Sequence, residues 1–201
     1  MKQTYKGKKL QILIKCYLDI FFSLVMLVFL APFYLLISLL IFFVSPGPVI
    51  FKQMRPGLNL KMFSILKFRT MKQGSEKLGL NMGENNPQII GIGKFLRRWH
   101  LDEMPQLINV LRGEMSFVGP RPPLLNQVNT ENELEKRRFL MKPGLAGWAQ
   151  LNGGNWISWD ERVKYDVWYT ENFSLWLDAK ILLLSFWRII LRGEGLYKKN
   201  N

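Results

Sequence analysis

Residues 20–51 carry no charge, and most positions in that run are Leu, Ile, Phe or Val. An uncharged apolar stretch of that length reads as a membrane segment rather than a helix of a soluble core. No small-residue cleavage site follows it, and the run is too long for a cleavable signal peptide. Pro32 divides it into halves of about 12 residues, each roughly 18 Å as helix at ~1.5 Å per residue, against a hydrocarbon core of about 30 Å. Neither half spans alone, and proline removes an amide donor and kinks a helix. Lys2, Lys6, Lys8, Lys9 and Lys15 precede the run; Lys52, Arg55, Lys61, Lys67, Arg69 and Lys72 follow it, with no acid before Glu76. Basic flanks stay cytoplasmic. Two forms are open: a kinked span, or a helix-break-helix that enters and leaves on one face. The second satisfies both flanks. Residues 1–48 therefore form a basic N-terminus and membrane segment, and residues 49–201 a cytoplasmic domain.

Beyond the Ser45-Pro46-Gly47-Pro48 turn the pattern changes. Residues 49–54 and 61–71 read as two strands around an Arg55-Pro56-Gly57-Leu58-Asn59 turn, a hairpin at the membrane surface. Residues 72–91, with Gly74, Gly79, Gly83 and Asn85-Asn86-Pro87, read as a long functional loop. The spacing predicts helices over 93–99, 102–111 and 126–140, the last charged and exposed. A short strand is expected over 115–118, and a strand with a glycine-rich loop over 148–155. Ser158 and Glu161, at capping-box spacing, open a helix over 158–169. In residues 175–192, Asp178, Ser185, Arg188 and Arg192 fall on one helical stripe in an otherwise apolar run. That helix either packs in the core or lies in the bilayer interface; Trp176, Trp187, Lys198 and Lys199 suit the interface. The fold class is mixed, helix-rich α/β: a small globular domain with a re-entrant N-terminal segment and amphipathic interfacial helices.

Composition narrows the chemistry. Lys and Arg number 28 against 15 Asp and Glu, a net charge of +13 over 201 residues. Such a balance asks for an anionic partner: anionic lipid, nucleic acid or a phosphorylated small molecule. No nucleic-acid-binding signature is present. The single Cys16 excludes an internal disulfide, and the single His100 excludes a multi-histidine zinc site. Chemistry must rest mainly on carboxylates, lysines or hydroxyls.

The chemistry-bearing stretch is Leu101-Asp102-Glu103-Met104-Pro105-Gln106-Leu107, with Arg97, Arg98 and His100 before it and Pro120-Arg121-Pro122 after. Proline suits the first turn of a helix, so Asp102 and Glu103 sit at or near a helix start, where the backbone can aim both carboxylates into one pocket. An N-capping acidic pair would look the same. Arg97 and Arg121 are placed to hold phosphate through paired donors. A carboxylate can attack phosphorus as a nucleophile or hold Mg²⁺ together with substrate phosphates. A membrane-bound phosphoryl transferase with a lipid-borne acceptor follows from these features.

The chain resembles the bacterial sugar transferases known as small monotopic phosphoglycosyl transferases. The resemblance rests on Ser45-Pro46-Gly47-Pro48-Val49-Ile50-Phe51-Lys52-Gln53, Arg55-Pro56-Gly57, Lys67-Phe68-Arg69-Thr70-Met71 and the central carboxylate motif. It continues through residues 109–121, Pro143-Gly144, Trp148-Ala149-Gln150, Asn152-Gly153, Asp166-Val167-Trp168-Tyr169 and Leu177-Asp178. It implies transfer of a sugar phosphate from a UDP-sugar to polyprenol (undecaprenyl) phosphate, releasing UMP, at the bacterial inner membrane with both termini cytoplasmic. Asp102 then matches the nucleophile that carries a phosphosugar and the site of Mg²⁺. Glu103 matches its partner, assisting deprotonation of the lipid phosphate or positioning the metal. Lys67, Arg69, Arg97, Arg121, Arg138, Asp166 and Asp178 match phosphate- and nucleotide-sugar-binding positions. Lys67 and Arg69 could equally face anionic lipid, and Asp178 could bond a neighbouring arginine. Pro32 matches the helix-breaking proline. His100, Ala146 and Gly154 depart from the pattern, standing where relatives often carry Ser or Thr, Thr, and Arg. The competing readings are a metal-dependent nucleotide-sugar hydrolase or phosphatase using the same aspartate, and a non-enzymatic basic membrane adaptor.

Overall fold

The computed structural model describes residues 7–75 and 86–192. The chain opens with one long helix, α1 (Lys9–Val44, 36 residues), that runs through Pro32 without interruption. The break expected at Pro32 is therefore absent from the helix assignment. Proline deletes one amide donor, and the remaining ladder of so long a helix carries the chain past it. At ~1.5 Å per residue α1 is about 54 Å long, well beyond a bilayer core of about 30 Å.

One face of α1 is docked along its length. Lys15, Asp19, Ser23, Ile37 and Ile41 are buried, with Leu27, Leu30 and Tyr34 half-buried on the same stripe. The other faces, including Phe21, Phe29, Phe33, Leu36 and Phe43, are exposed. Both halves touch the domain that follows. In the N-terminal half, Lys15 Nζ donates to Asp178 at 2.5 Å and the Phe117 amide donates to Asp19 at 3.1 Å. In the C-terminal half, Ile37 and Ile41 pack with Phe68, Ile90 and Leu96.

The expected hairpin is present: β1 (Ile50–Pro56) pairs antiparallel with β2 (Met62–Phe68), Phe51 opposite Lys67 and Arg55 opposite Phe63. The strand runs on through Arg55 and Pro56, so the turn starts later than the sequence suggests. Then come α2 (Gly93–Arg98), α3 (Gln106–Leu111) and β3 (Ser116–Val118). The centre of the loop expected over 72–91 lies outside the described residues, as do Lys198 and Lys199.

Two expectations change in the second half. The long exposed helix over 126–140 shrinks to α4 (Glu133–Arg138), because the Asn132 side chain accepts from the Leu134 and Glu135 amides and caps a new start. Glu135 and Arg138 in it are buried rather than exposed. The strand expected over 148–155 is instead α5 (Trp148–Leu151), and the strand lies earlier, as β4 (Gly144–Ala146), parallel to β3. That pairing demands glycine: a Cβ on Gly144 would lie 2.0 Å from the Gly119 nitrogen.

α6 (Trp159–Asn172) starts with the expected capping box, Ser158 accepting from the Glu161 amide at 3.3 Å. α7 (Leu175–Arg192) follows. Its orientation is the reverse of a helix on a soluble protein. Asp178 is buried beside Leu177 and Ile181, whereas Trp176, Leu183, Phe186 and Trp187 are exposed. The Asp178 end of the polar stripe faces inward and the apolar face looks outward, as at a lipid surface.

Breaking a buried ion pair leaves an uncompensated charge and costs about 3–5 kcal/mol. Asp178→Ala should therefore strand Lys15, 7% exposed in its side chain, and lower Tm in detergent by about 10 °C. Tyr169→Phe, which leaves the ion pair in place but removes the hydroxyl bonded to Asp178 at 2.7 Å and to the Val118 carbonyl at 3.3 Å, should cost less, about 1–2 kcal/mol. Thermal melts of the two variants check this.

Candidate active site

The two carboxylates occupy a single 3-10 turn, Leu101–Glu103, ahead of α3 rather than inside it. The helix expected from 102 starts only after Pro105, at its N-cap. His100 enters the turn with φ 54°, a left-handed value uncommon outside glycine. Leu101 and Met104, which bracket the acids, pack on the cluster formed by Ile37, Ile41, Phe68 and Leu96. The Tyr34 hydroxyl of α1 donates to the Met104 carbonyl. The membrane helix and the acidic turn are thus one packed unit.

Two further contacts fix the surroundings. Asn109 of α3 accepts from the Leu66 amide at 3.0 Å and donates to the Ser64 carbonyl at 2.8 Å, locking α3 to β2. Gly93 lies so close to β2's continuation that a Cβ would sit 2.4 Å from the Thr70 carbonyl oxygen. That approach lets the Thr70 hydroxyl accept from Arg97 Nε at 2.8 Å.

The neighbouring acids differ sharply. Glu103 accepts from Lys67 Nζ at 2.6 Å and from both terminal nitrogens of Arg121. Burial opposes its charge, but Arg121 and Lys67 outweigh burial and hold it well below the ordinary carboxylate range. Asp102 is 5% exposed, and its buried Oδ1 has no hydrogen-bond partner. Burial, then the adjacent Glu103 charge, pushes its pKa up to about 6 against Lys67, Arg97 and Arg121. Burial lowers His100.

Of the residues expected at the site, Lys67, Arg97 and Arg121 do surround Asp102 and Glu103. Arg138 and Asp166 do not meet the acids. They form a fully buried pair at 2.5 Å, with Arg138 lying over the Trp159 ring at 4.8 Å. Arg138 also donates to the Arg121 carbonyl at 3.1 Å, so it supports the turn that presents Arg121. Burial pushes Asp166 up to about 6 even beside that arginine. Arg69 donates to the Ser45 and Pro46 carbonyls and closes the turn after α1. Asp178 bonds Lys15 and Tyr169 rather than the acids' cations. Gly154, in place of an arginine, has a left-handed φ of 55°.

Arg55, Thr70 and Tyr34 were not legible as site residues. Arg55 stands in what reads as a turn, and its bond to the Pro122 carbonyl at 3.2 Å brings it beside Arg121. Tyr34 lies in a run whose pattern signals only lipid.

Among the described residues no cluster of three or more His, Cys, Asp or Glu exists. Asp102 and Glu103 are the two carboxylates of the turn, and Mg²⁺ commonly takes one or two carboxylates and completes its shell with water and substrate phosphates. The orphaned Asp102 oxygen is a hard donor of the required kind.

The family described as "Bacterial sugar transferase" matches residues 10–192. The chain is 44% identical over 155 residues to "Uncharacterized sugar transferase EpsL" of Bacillus subtilis (strain 168), covering 77% of this chain and 76% of that protein. It is 42% identical over 162 residues to "Galactosyl transferase CpsE" of Streptococcus agalactiae serotype III (strain NEM316), covering 74% of this chain and 36% of that protein. It is 38% identical over 179 residues to "UDP-glucose:undecaprenyl-phosphate glucose-1-phosphate transferase" of Escherichia coli (strain K12), covering 85% and 39%. The chain thus spans most of the first relative and less than half of the other two. With the acidic turn and its surrounding cations inside a match of that extent, the chain belongs to the bacterial sugar transferase family.

Proposed function

We propose that the protein transfers a sugar 1-phosphate from a UDP-sugar to polyprenol (undecaprenyl) phosphate through a covalent intermediate on Asp102. The observation that carries this reading is the contrast between the two acids: Glu103 is clamped by three bonds, while Asp102 keeps a buried oxygen without a partner. Two carboxylates in environments that push their pKa values apart have separate roles. The names of relatives, such as the Escherichia coli protein above, support the lipid acceptor.

The balance of the reaction is simple. An ionised Asp102 oxygen attacks the sugar-proximal phosphorus, and the bond from that phosphorus to the bridging oxygen breaks. UMP leaves with the electron pair, and the phosphosugar stays on the carboxylate as an acyl phosphate. An oxygen of polyprenol phosphate then attacks the same phosphorus and frees Asp102, giving the lipid diphosphate sugar. Even with its pKa raised to about 6, Asp102 is mostly ionised at neutral pH, so it needs no separate base. Glu103 is held too acidic to serve as a good base. Its role is to hold Lys67 and Arg121 in place until phosphate oxygens compete for their donors. Arg97, fixed by Thr70, adds positive charge beside Asp102. Bound Mg²⁺, held by Asp102 and substrate phosphates, would neutralise charge on the diphosphate.

The same reading makes α1 monotopic: it does not cross the bilayer, and both of its ends stay on the cytoplasmic face. What supports it is the docked stripe: Lys15 and Tyr34, from opposite halves of the helix, both bond to the same domain. A straight crossing would carry one half out of reach. The exposed apolar faces of α1 and α7 then meet lipid together.

With UDP-sugar, Mg²⁺ and polyprenol phosphate, UMP should appear in step with lipid product; UMP release independent of lipid would indicate a hydrolase. Asp102→Asn should lower turnover by at least about a thousandfold, and donor alone should add the mass of a phosphosugar to the wild-type chain only. Glu103→Gln should cut kcat by about ten- to a hundredfold with little change in the KM for donor, since the anion-binding cations remain. Tags on both termini should react only from the cytoplasmic side of intact cells; labelling of the N-terminus from outside would overturn the monotopic arrangement.

A further inference from the structure

Residues 120–123 hold three prolines, Pro120, Pro122 and Pro123. Proline has no amide hydrogen, so this turn has little means of satisfying its own carbonyls, and arginines supply the donors. Arg138 donates to the Arg121 carbonyl at 3.1 Å, and Arg55 Nη1 donates to the Pro122 carbonyl at 3.2 Å.

The two arginines are not equivalent. Arg138 is sealed in by Asp166 and is 1% exposed. Arg55 has no ion-pair partner among the described residues. Gln53 accepts from its Nη2 at 2.7 Å, and its Nε is buried with no partner. A guanidinium carries five N–H donors, and these two bonds use two of them.

Arg55 also sits close enough to Arg121 to feel its charge. Burial, then Arg121, lowers Arg55 to about 10, while Glu103 acts the other way. Glu103 is already bonded to Lys67 and Arg121. Among the described residues around the acidic turn, Arg55, Lys67, Arg97 and Arg121 therefore face two carboxylates, Asp102 and Glu103. Partly buried like charges held this close are costly without a counter-anion, and an arginine fork is suited to phosphate. A multiply charged anion would relieve the repulsion between Arg55 and Arg121.

We propose that Arg55 is a phosphate-binding residue of this site, holding with Arg121 the sugar-side phosphate of a diphosphate donor, the one that a nucleoside monophosphate lacks. The proposal rests on the transferase reading above and deepens it. The donor carries two phosphates in a row and the acceptor one. A second arginine beside Arg121 is what distinguishes a diphosphate from a monophosphate at this site. It also gives Arg55 two tasks, holding the Pro122 carbonyl and meeting the substrate.

The test compares UDP with UMP as binders of the full-length protein in detergent with Mg²⁺, so turnover is not needed. In Arg55→Met, UDP should bind about tenfold or more weakly, the loss of a charge-assisted bond, and UMP should change by less than about twofold. Equal weakening of both, or no change in either, would reduce Arg55 to a clamp on the turn and overturn the proposal. Arg55→Lys keeps the charge but loses the fork, and should show a smaller loss with the same selectivity for UDP. Should neither variant fold, the wild-type protein decides: inorganic pyrophosphate should inhibit at least about tenfold more strongly than orthophosphate, and equal inhibition would overturn the proposal. A wild-type enzyme that binds UDP over UMP yet releases no UMP from UDP-sugars would sink the transferase reading instead.

Discussion

The ion cluster at Glu103 is the constraint on which the rest depends. A buried carboxylate is tolerable only when paired and hydrogen-bonded, and here β2 supplies Lys67 while the turn after β3 supplies Arg121. One acid thereby ties two otherwise separate pieces of chain together. Because Glu103 absorbs their donors, its neighbour Asp102 is left buried and underbonded, which is a poor arrangement for stability and a good one for a nucleophile. Stability is given up at one residue and recovered at the next.

The arginines around this cluster form layers of support. Arg138, paired with Asp166 and stacked on Trp159, holds the carbonyl of Arg121. Thr70 holds Arg97, and the glycine at 93 lets the two chain segments approach closely enough for that bond. The short parallel pair β3–β4, closed by Gly119 against Gly144, brings residues 116–121 to the acidic turn. Each device is small, yet together they fix a cationic pocket whose side chains would otherwise repel one another.

The membrane helix belongs to this framework rather than being a tether. Ile37 and Ile41 share a core with Leu96 and Phe68, and Tyr34 bonds the Met104 carbonyl beside the acids. Burying Lys15 against Asp178 at the other end of the same helix keeps α7 and α1 in register. The outward apolar faces of the two helices thereby belong to the same packed unit as the acidic turn.

Much of this was legible in one dimension because its causes are local. Long uncharged runs, a Ser158–Glu161 cap and the existence of the hairpin depend on neighbouring residues and stand where the pattern puts them, although the hairpin turn and the helix after the acids start later than expected. The Asp102-Glu103 pair and its cations were legible too, because few residue types can do phosphoryl chemistry. What the pattern alone did not settle depends on partners far along the chain. Arg69 and Asp178 were matched to substrate, yet they bond Ser45, Pro46 and Lys15. Asn132 shortened a helix that composition favours, and a glycine-to-glycine contact made a strand of Gly144–Ala146 that carries no alternation. Sequence by itself determined the long apolar segment, the basic character and the identity of the acids, since hydrophobicity and charge are properties of the residues. Only the tertiary structure decided which acid is clamped and which is left open, because that depends on where Lys67 and Arg121 arrive in space.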